Sequence, residues 1–267
     1  MNSLSEFGFR DEPIFRAETC PTHGEFQAKN HFRDVWTKCP GCRAEYEAAR
    51  AAEEAAKAKR EEAARWQRRL GFAGIPERFQ DRHLSRYVAN NAGQASALAF
   101  ATEYAREFDT VSASGRSAVL VGKPGTGKTH LAVGIALAVM ERGHTALFTT
   151  AMRALRRVKE TWGRAAAETE RQAIEALVFP DLLILDEVGV QFGSDTEKLI
   201  LFDVLNERYE QRKPTLLLSN LTAPEVRDYL GERIFDRLRE DGGRVVVFDW
   251  QSHRGTDRKT LAAGSDA

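Results

Sequence analysis

Gly122-Lys123-Pro124-Gly125-Thr126-Gly127-Lys128-Thr129 carries the strongest chemical signal in the chain. It fits G-x-x-x-x-G-K-[ST], a loop whose backbone N–H groups close around nucleotide phosphates. Gly122, Pro124, Gly125, Thr126 and Gly127 would form the cradle. Lys128 would reach the β- and γ-phosphates, and the Thr129 hydroxyl would hold Mg²⁺. Ser117–Val121 before the loop reads as a buried strand, and His130–Met140 after it as a helix. The helix N-terminus then faces the phosphates and adds its dipole.

A second acidic site lies downstream. Leu182-Leu183-Ile184-Leu185 is an apolar strand ending in Asp186 and Glu187. Asp186 is placed for the Mg²⁺ shell, and Glu187 for polarising the water that attacks the γ-phosphate. Read alone, the pattern also fits a strand before an acidic helix cap; the upstream loop favours the metal reading. Leu216-Leu217-Leu218-Ser219-Asn220 is another apolar strand with a polar end. In parallel sheets ligands lie beyond such ends, so Asn220 either contacts the attacking water or a phosphate oxygen, or simply closes a turn. Arg233 and Arg237, four apart on a helix expected over Gly231–Arg239, share one face. They could serve a neighbouring subunit's nucleotide; spacing alone fits equally a solvated face paired with Glu232, Asp236 and Glu240.

All three cysteines fall between positions 20 and 42. Cys20-x₂-His23 and Cys39-x₂-Cys42 are separated by 15 residues. Three thiolates and an imidazole suit tetrahedral Zn²⁺ with no open position, hence a structural site. Cys39-Pro40-Gly41-Cys42 is expected to be a tight turn, and His31 competes as fourth ligand. So small a module has little core, and metal binding would supply much of its folding energy, about 10 kcal/mol or more. A redox CxxC or unliganded thiols are the alternatives.

These residues need a scaffold. The chain has 267 residues, 42% hydrophobic and 29% charged, with Lys+Arg and Asp+Glu balanced at 39 each. Bulk charge therefore does not indicate nucleic-acid binding, and any such site is a local patch. Met1–Arg16 lacks the apolar core of a signal peptide, and Leu131–Met140 is too short to span a bilayer. Together with the odd cysteine count, this predicts a reduced, cytoplasmic setting with no membrane partner. Four segments are expected: a zinc-binding module at 1–42, a charged Ala-rich helical linker at 43–70, an ATPase-type domain at 71–254 and a disordered tail at 255–267. The linker has no Gly or Pro, offers Glu53/Lys57 and Glu61/Arg65 as i,i+4 pairs, and would be a solvated helix about 40 Å long. A coiled coil is the alternative, although its core positions would be mostly Ala. Strands are expected at Ala118–Val121, Ala146–Thr149, Leu182–Leu185, Thr215–Leu218 and Val245–Phe248. With helices between them they predict a doubly wound parallel α/β sheet.

Together these motifs resemble the AAA+ ATPases, specifically DnaC-type helicase loaders and the related IstB-type transposition helpers. The resemblance runs from about Ile75 to Arg254, following Gly74. Its pieces are Gly74–Phe79, Gly122–Thr129, Leu182–Gly189, Leu218–Leu221, Glu232–Arg239 and Arg244–Trp250, with Gln251, Ser252 and Arg254 beyond. It implies ATP and Mg²⁺, Asn220 as sensor 1, and Arg237 as arginine finger with Arg233 as runner-up. It also implies self-association through ATP bridged between subunits, a hexameric replicative helicase as partner, and placement of that helicase on single-stranded DNA. Only 17 residues follow Trp250, so a full helical lid with its sensor-2 arginine is not expected. Nucleotide closure would then depend on a neighbour, and hydrolysis by a monomer would be slow.

By the same resemblance Ala151–Val178, which contains Arg153, Arg156, Arg157, Lys159, Trp162 and Arg164, would line a DNA channel. Cations can track phosphates and an aromatic can stack a base; a solvated amphipathic helix is the plain alternative. The resemblance implies that the zinc module recognises the helicase; direct DNA binding is the runner-up, disfavoured because Met1–Leu70 carries a net charge of only +1. Two other functions remain open. One is an IstB-type helper on duplex DNA. The other is a non-catalytic adaptor, disfavoured by the complete Lys128, Thr129, Asp186 and Glu187 set.

Overall fold

The computed structural model describes residues 9–190 and 194–253. Arg254 and the tail beyond it lie outside the described residues. The chain divides into two units, Met1–Gln67 and Arg68–Ala267.

The first unit holds an antiparallel sheet that the sequence reading did not anticipate. Strands β1 (Phe9–Cys20), β2 (Gly24–Phe32) and β3 (Val35–Trp36) lie in the order β1-β2-β3. Cys20 pairs with Gly24 to close the first hairpin, where Gly24 adopts φ +78°. Asn30, almost fully buried, donates to the Arg33 carbonyl at 2.7 Å and holds the second turn. Among the described residues the buried apolar side chains of this unit are Cys20, Ala28 and Cys39. Such a core cannot stabilise a domain by burial alone.

Helix α1 (Pro40–Phe72) follows directly. The Cys-Pro-Gly-Cys segment is therefore a helix start rather than the expected tight turn. Proline at the first helical position has the right φ and no N–H to leave unpaired. Arg43 N–H donates to the Cys39 carbonyl at 3.0 Å, the first bond of the helix. Among the described residues the i,i+4 ion pairs of this helix are Arg43–Glu47 and Arg50–Glu54, not Glu53/Lys57 or Glu61/Arg65. Being exposed and screened by solvent, each contributes little to stability.

The second unit is a three-layer α/β domain. Its parallel strands are β4 (Ala118–Gly122), β5 (Ala146–Thr150), β6 (Leu182–Asp186), β7 (Thr215–Ser219) and β8 (Arg244–Phe248), in the order β5-β6-β7-β4-β8. The five expected strands are all present, each longer by a residue at one end or the other. Helices α2 (Ala92–Arg106), α3 (Phe108–Ser114), α4 (Lys128–Glu141), α5 (Ala151–Glu160), α6 (Glu170–Val178), α7 (Asp195–Glu210), α8 (Ala223–Leu230) and α9 (Glu232–Arg237) complete it. Helix α4 is apolar all round and buries every residue from Leu131 to Leu137, as a helix covered on several sides must. Against the other sheet face, Leu155, Leu177, Leu201 and Phe235 pack on Val119, Leu183 and Leu217.

Arg208 is the largest fully buried side chain. Its guanidinium donates to the carbonyls of Leu177, Val178, Pro180 and Pro214 at 2.7–3.1 Å and to Thr215 Oγ1 at 3.0 Å. It ties the ends of α6 and α7 to the start of β7. Burial pushes its pKa down to about 9. Arg208→Met should destabilise the protein by about 3–5 kcal/mol, because several buried carbonyls lose their donor at once. Urea unfolding with an unchanged m-value checks this.

Candidate functional site

Three adjacent strands, β6, β7 and β4, end together, and the candidate phosphate site lies at their carboxyl ends. At Gly122 (φ +129°) a Cβ would stand 2.2 Å from the Phe248 carbonyl oxygen. At Gly127 (φ +101°) a Cβ would press on the Tyr87 ring at 2.8 Å. Only glycine fits either position. Lys128 starts α4 and is buried, and its Nζ donates to the Gly122 and Lys123 carbonyls at 2.6 and 2.8 Å. The Thr129 hydroxyl donates to Asp186 Oδ2 at 2.8 Å, joining the loop to the acidic strand.

Asp186 also accepts from the Glu187 N–H at 2.7 Å. Burial raises its pKa, opposed by the bonds from Thr129 and Glu187 and by the Lys128 charge. Glu187 sits at φ +60°, a strained conformation for a residue with a side chain, and such strain gathers at working sites. The next residues are fixed to β7: Val188 N–H donates to Leu218 O at 3.0 Å, and Ser219 Oγ to Val188 O at 2.6 Å.

The loop, Thr129, Asp186, Glu187 and Asn220 line one cavity of about 660 Å³. Its remaining wall was not legible as a site in the sequence. It comprises Arg78, Phe79, Arg82, Arg86 and Tyr87, from the short turns before α2, together with Val88, Asn90, His130 and His253. The loop is braced from that side. Trp250 Nε1–H donates to the Thr126 carbonyl at 2.9 Å, and the Tyr87 hydroxyl lies 3.5 Å from the same oxygen. His253 N–H donates to the Gly125 carbonyl at 3.0 Å.

Arg237 and Arg233 do not line this cavity. The guanidinium of Arg237 lies over the Tyr209 ring at 4.6 Å, and the exposed Arg233 lies 5.9 Å from the Phe202 ring. In the α5–α6 region two of the expected DNA-tracking cations are engaged internally. Arg157 makes a two-pronged bond to Glu168 at 2.8 Å, and Lys159 donates to Glu197 at 2.8 Å. Trp162 Nε1–H donates to Glu170. Arg153, Arg156 and Arg164 are exposed and form no ion pair among the described residues.

In the first unit Cys20, His23, Cys39 and Cys42 place their ligand atoms within 4.8 Å of one another. His31 is not among them. Cys20 Sγ lies 3.4 Å from Cys42 Sγ, and His23 Nδ1 lies 3.7 and 3.4 Å from the two sulfurs. Four donors around one small ion at Zn–S and Zn–N distances must lie about this far apart, so the residues fit Zn²⁺. The backbone N–H of Thr22, then the side chain of His23, pulls the Cys20 thiol down to about 6. The hydrogen bond that the Cys42 thiol donates to Cys20 holds Cys42 up at about 11.

Residues 56–259 match the family model of IstB-like ATP-binding proteins. The replicative helicase loader DnaC of Escherichia coli K12 is 36% identical over 192 residues, covering 72% of this chain and 77% of DnaC. DnaC of Buchnera aphidicola from Baizongia pistaciae is 32% identical over 196 residues. This chain belongs to the IstB/DnaC family of ATP-binding proteins. A crystal structure of a DnaC helicase loader superposes with a TM-score of 0.59 at 23% identity, covering 65% of this chain and 99% of that one. AMPPCP-bound DnaA from Aquifex aeolicus gives 0.55 at 22%, covering 64% and 51%. These likenesses show the AAA+ fold. No helix among the described residues is long and apolar enough to cross a membrane.

Two substitutions separate charge from bracing. Lys128→Ala should weaken ATP binding by at least about 100-fold, the loss of charged hydrogen bonds worth about 3 kcal/mol. Trp250→Phe should weaken it about five-fold through one lost bond of about 1 kcal/mol. Titration with a fluorescent ATP analogue measures both.

Proposed function

We propose that this protein is an ATP-dependent loader that binds a hexameric replicative helicase and helps place it on single-stranded DNA when replication begins. The observation that carries this reading is a complete Lys128, Thr129, Asp186 and Glu187 set around one cavity, in a chain 36% identical to DnaC. The family's ATP-binding character supports ATPase activity.

In this reading Lys128 exchanges its bonds to Gly122 and Lys123 for phosphate oxygens. Thr129 and Asp186 hold Mg²⁺, which when bound neutralises charge on those oxygens. Glu187 accepts the proton of the attacking water, and Asn220 orients that water or a γ-phosphate oxygen. Arg237, or Arg233 in its place, acts on the nucleotide of a neighbouring subunit across an ATP-bridged contact. A guanidinium that faces away from its own cavity is consistent with work in trans. Hydrolysis is then slow until subunits or the helicase assemble.

Residues 1–42 form a structural Zn²⁺ module that recognises the helicase, 43–70 form the linker, and 71–254 form the ATPase domain. Exposed Arg153, Arg156 and Arg164 are better candidates for DNA phosphates than Arg157 and Lys159, whose partners already neutralise them. The setting is cytoplasmic.

The test is reconstitution with the helicase of the same host on circular single-stranded DNA. The wild-type protein should co-purify with the helicase and raise its unwinding in an ATP-dependent manner. Glu187→Gln should retain ATP binding while turnover falls by about 10²–10⁴-fold, the usual contribution of a general base. Absence of a helicase complex would contradict the reading. Assembly on duplex DNA instead would support an IstB-type helper, which the family model's name favours.

A further inference from the structure

We propose that Glu45 is the positioning carboxylate of the metal centre, accepting the Nε2–H of His23 and so committing Nδ1 to the metal. The inference rests on the zinc reading of the Cys20, His23, Cys39 and Cys42 cluster.

The two nitrogens of His23 face opposite ways. Nδ1 turns toward the sulfurs of Cys20 and Cys42, at 3.7 and 3.4 Å. Nε2 lies 3.2 Å from Glu45 Oε1. A neutral imidazole has one N–H and one lone pair, so the hydrogen bond on one nitrogen decides which nitrogen can ligate. With the proton held on Nε2, the lone pair falls on Nδ1, which faces the thiols. A second-shell carboxylate of this kind orients the ring and raises its basicity as a ligand.

Helix α1 makes this arrangement possible. Cys42 and Glu45 are three residues apart, so ligand and carboxylate lie on one face of its first two turns. Gly41 closes the third side: a Cβ there would stand 2.5 Å from the His23 ring. The imidazole is thus confined between helix backbone and carboxylate, with one nitrogen left for the cluster.

A plain stabilising role does not account for the pair. The Glu45 side chain is 66% exposed. An exposed pair of this type contributes little to folding. The first turn of α1 carries no acid, whereas a carboxylate serving the helix dipole belongs there. Glu45 lies one turn later, where it meets His23.

The experiment uses the full chain loaded with Zn²⁺, with affinity measured by chelator competition and Co²⁺ titration. The nitrogen states of His23 are read by long-range ¹H–¹⁵N correlation. Wild type should hold one Zn²⁺ per chain, with Nδ1 bound and Nε2 protonated. Glu45→Ala should keep that stoichiometry but bind Zn²⁺ about 10–100-fold more weakly, with faster solvent exchange of the Nε2 proton. Glu45→Gln, which keeps an acceptor, should recover part of the loss. If Glu45→Ala binds as wild type does, or if His23 ligates through Nε2, the proposal is overturned while the zinc site stands. If wild type binds no Zn²⁺, the zinc reading falls as well.

Discussion

The hydrogen bond from Thr129 to Asp186, 2.8 Å long, joins residues 57 apart in sequence and ties the Gly-rich loop to the acidic strand. It can form because β7 is the single strand between β4 and β6. Side by side, the three strands deliver the loop, Asn220 and the two acids to one edge of the sheet. A second strand between β4 and β6 would separate the loop from Asp186 by a further strand width, about 4.8 Å. The buried sheet is thus the constraint from which the chemistry follows.

A second constraint acts on the loop from outside. Gly122 lies against the Phe248 backbone, Gly127 against Tyr87, and the Thr126 carbonyl accepts from Trp250. Residues 74–90 and 248–253 are far apart in sequence, yet both close on the same turn. These contacts brace the loop backbone from outside, and a braced loop has less conformational freedom to lose on binding a ligand. The first unit solves a different problem. Among its described residues only Cys20, Ala28 and Cys39 are buried apolar side chains, so on the zinc reading the metal would supply the folding energy that the larger unit draws from its sheet.

Much of this was legible in the sequence for identifiable reasons. Each strand of the sheet is a short apolar run because both its faces are covered, and the phosphate loop needs glycines that no other residue can replace. The paired spacing of Cys20, His23, Cys39 and Cys42 disclosed that these four side chains come together. What stayed hidden depended on distant partners. β1 carries Pro13 and breaks register between Phe9 and Ile14, so no clean alternation marks it. Cys39–Cys42 reads as a turn until the helix behind Pro40 is seen. Arg208 looks like any helix-surface arginine, since its carbonyl acceptors come from other elements. Arg157 and Lys159 find Glu168 and Glu197, which are 11 and 38 residues away.

In the proposed function Thr129 and Asp186 together hold a magnesium nucleotide at the ends of β4 and β6. Its most direct test is ATP affinity with and without Mg²⁺ for wild type and for Asp186→Asn. Mg²⁺ should tighten binding to the wild type, and Asp186→Asn should keep the metal-free affinity but lose the gain. An undiminished Mg²⁺ gain in Asp186→Asn would contradict it.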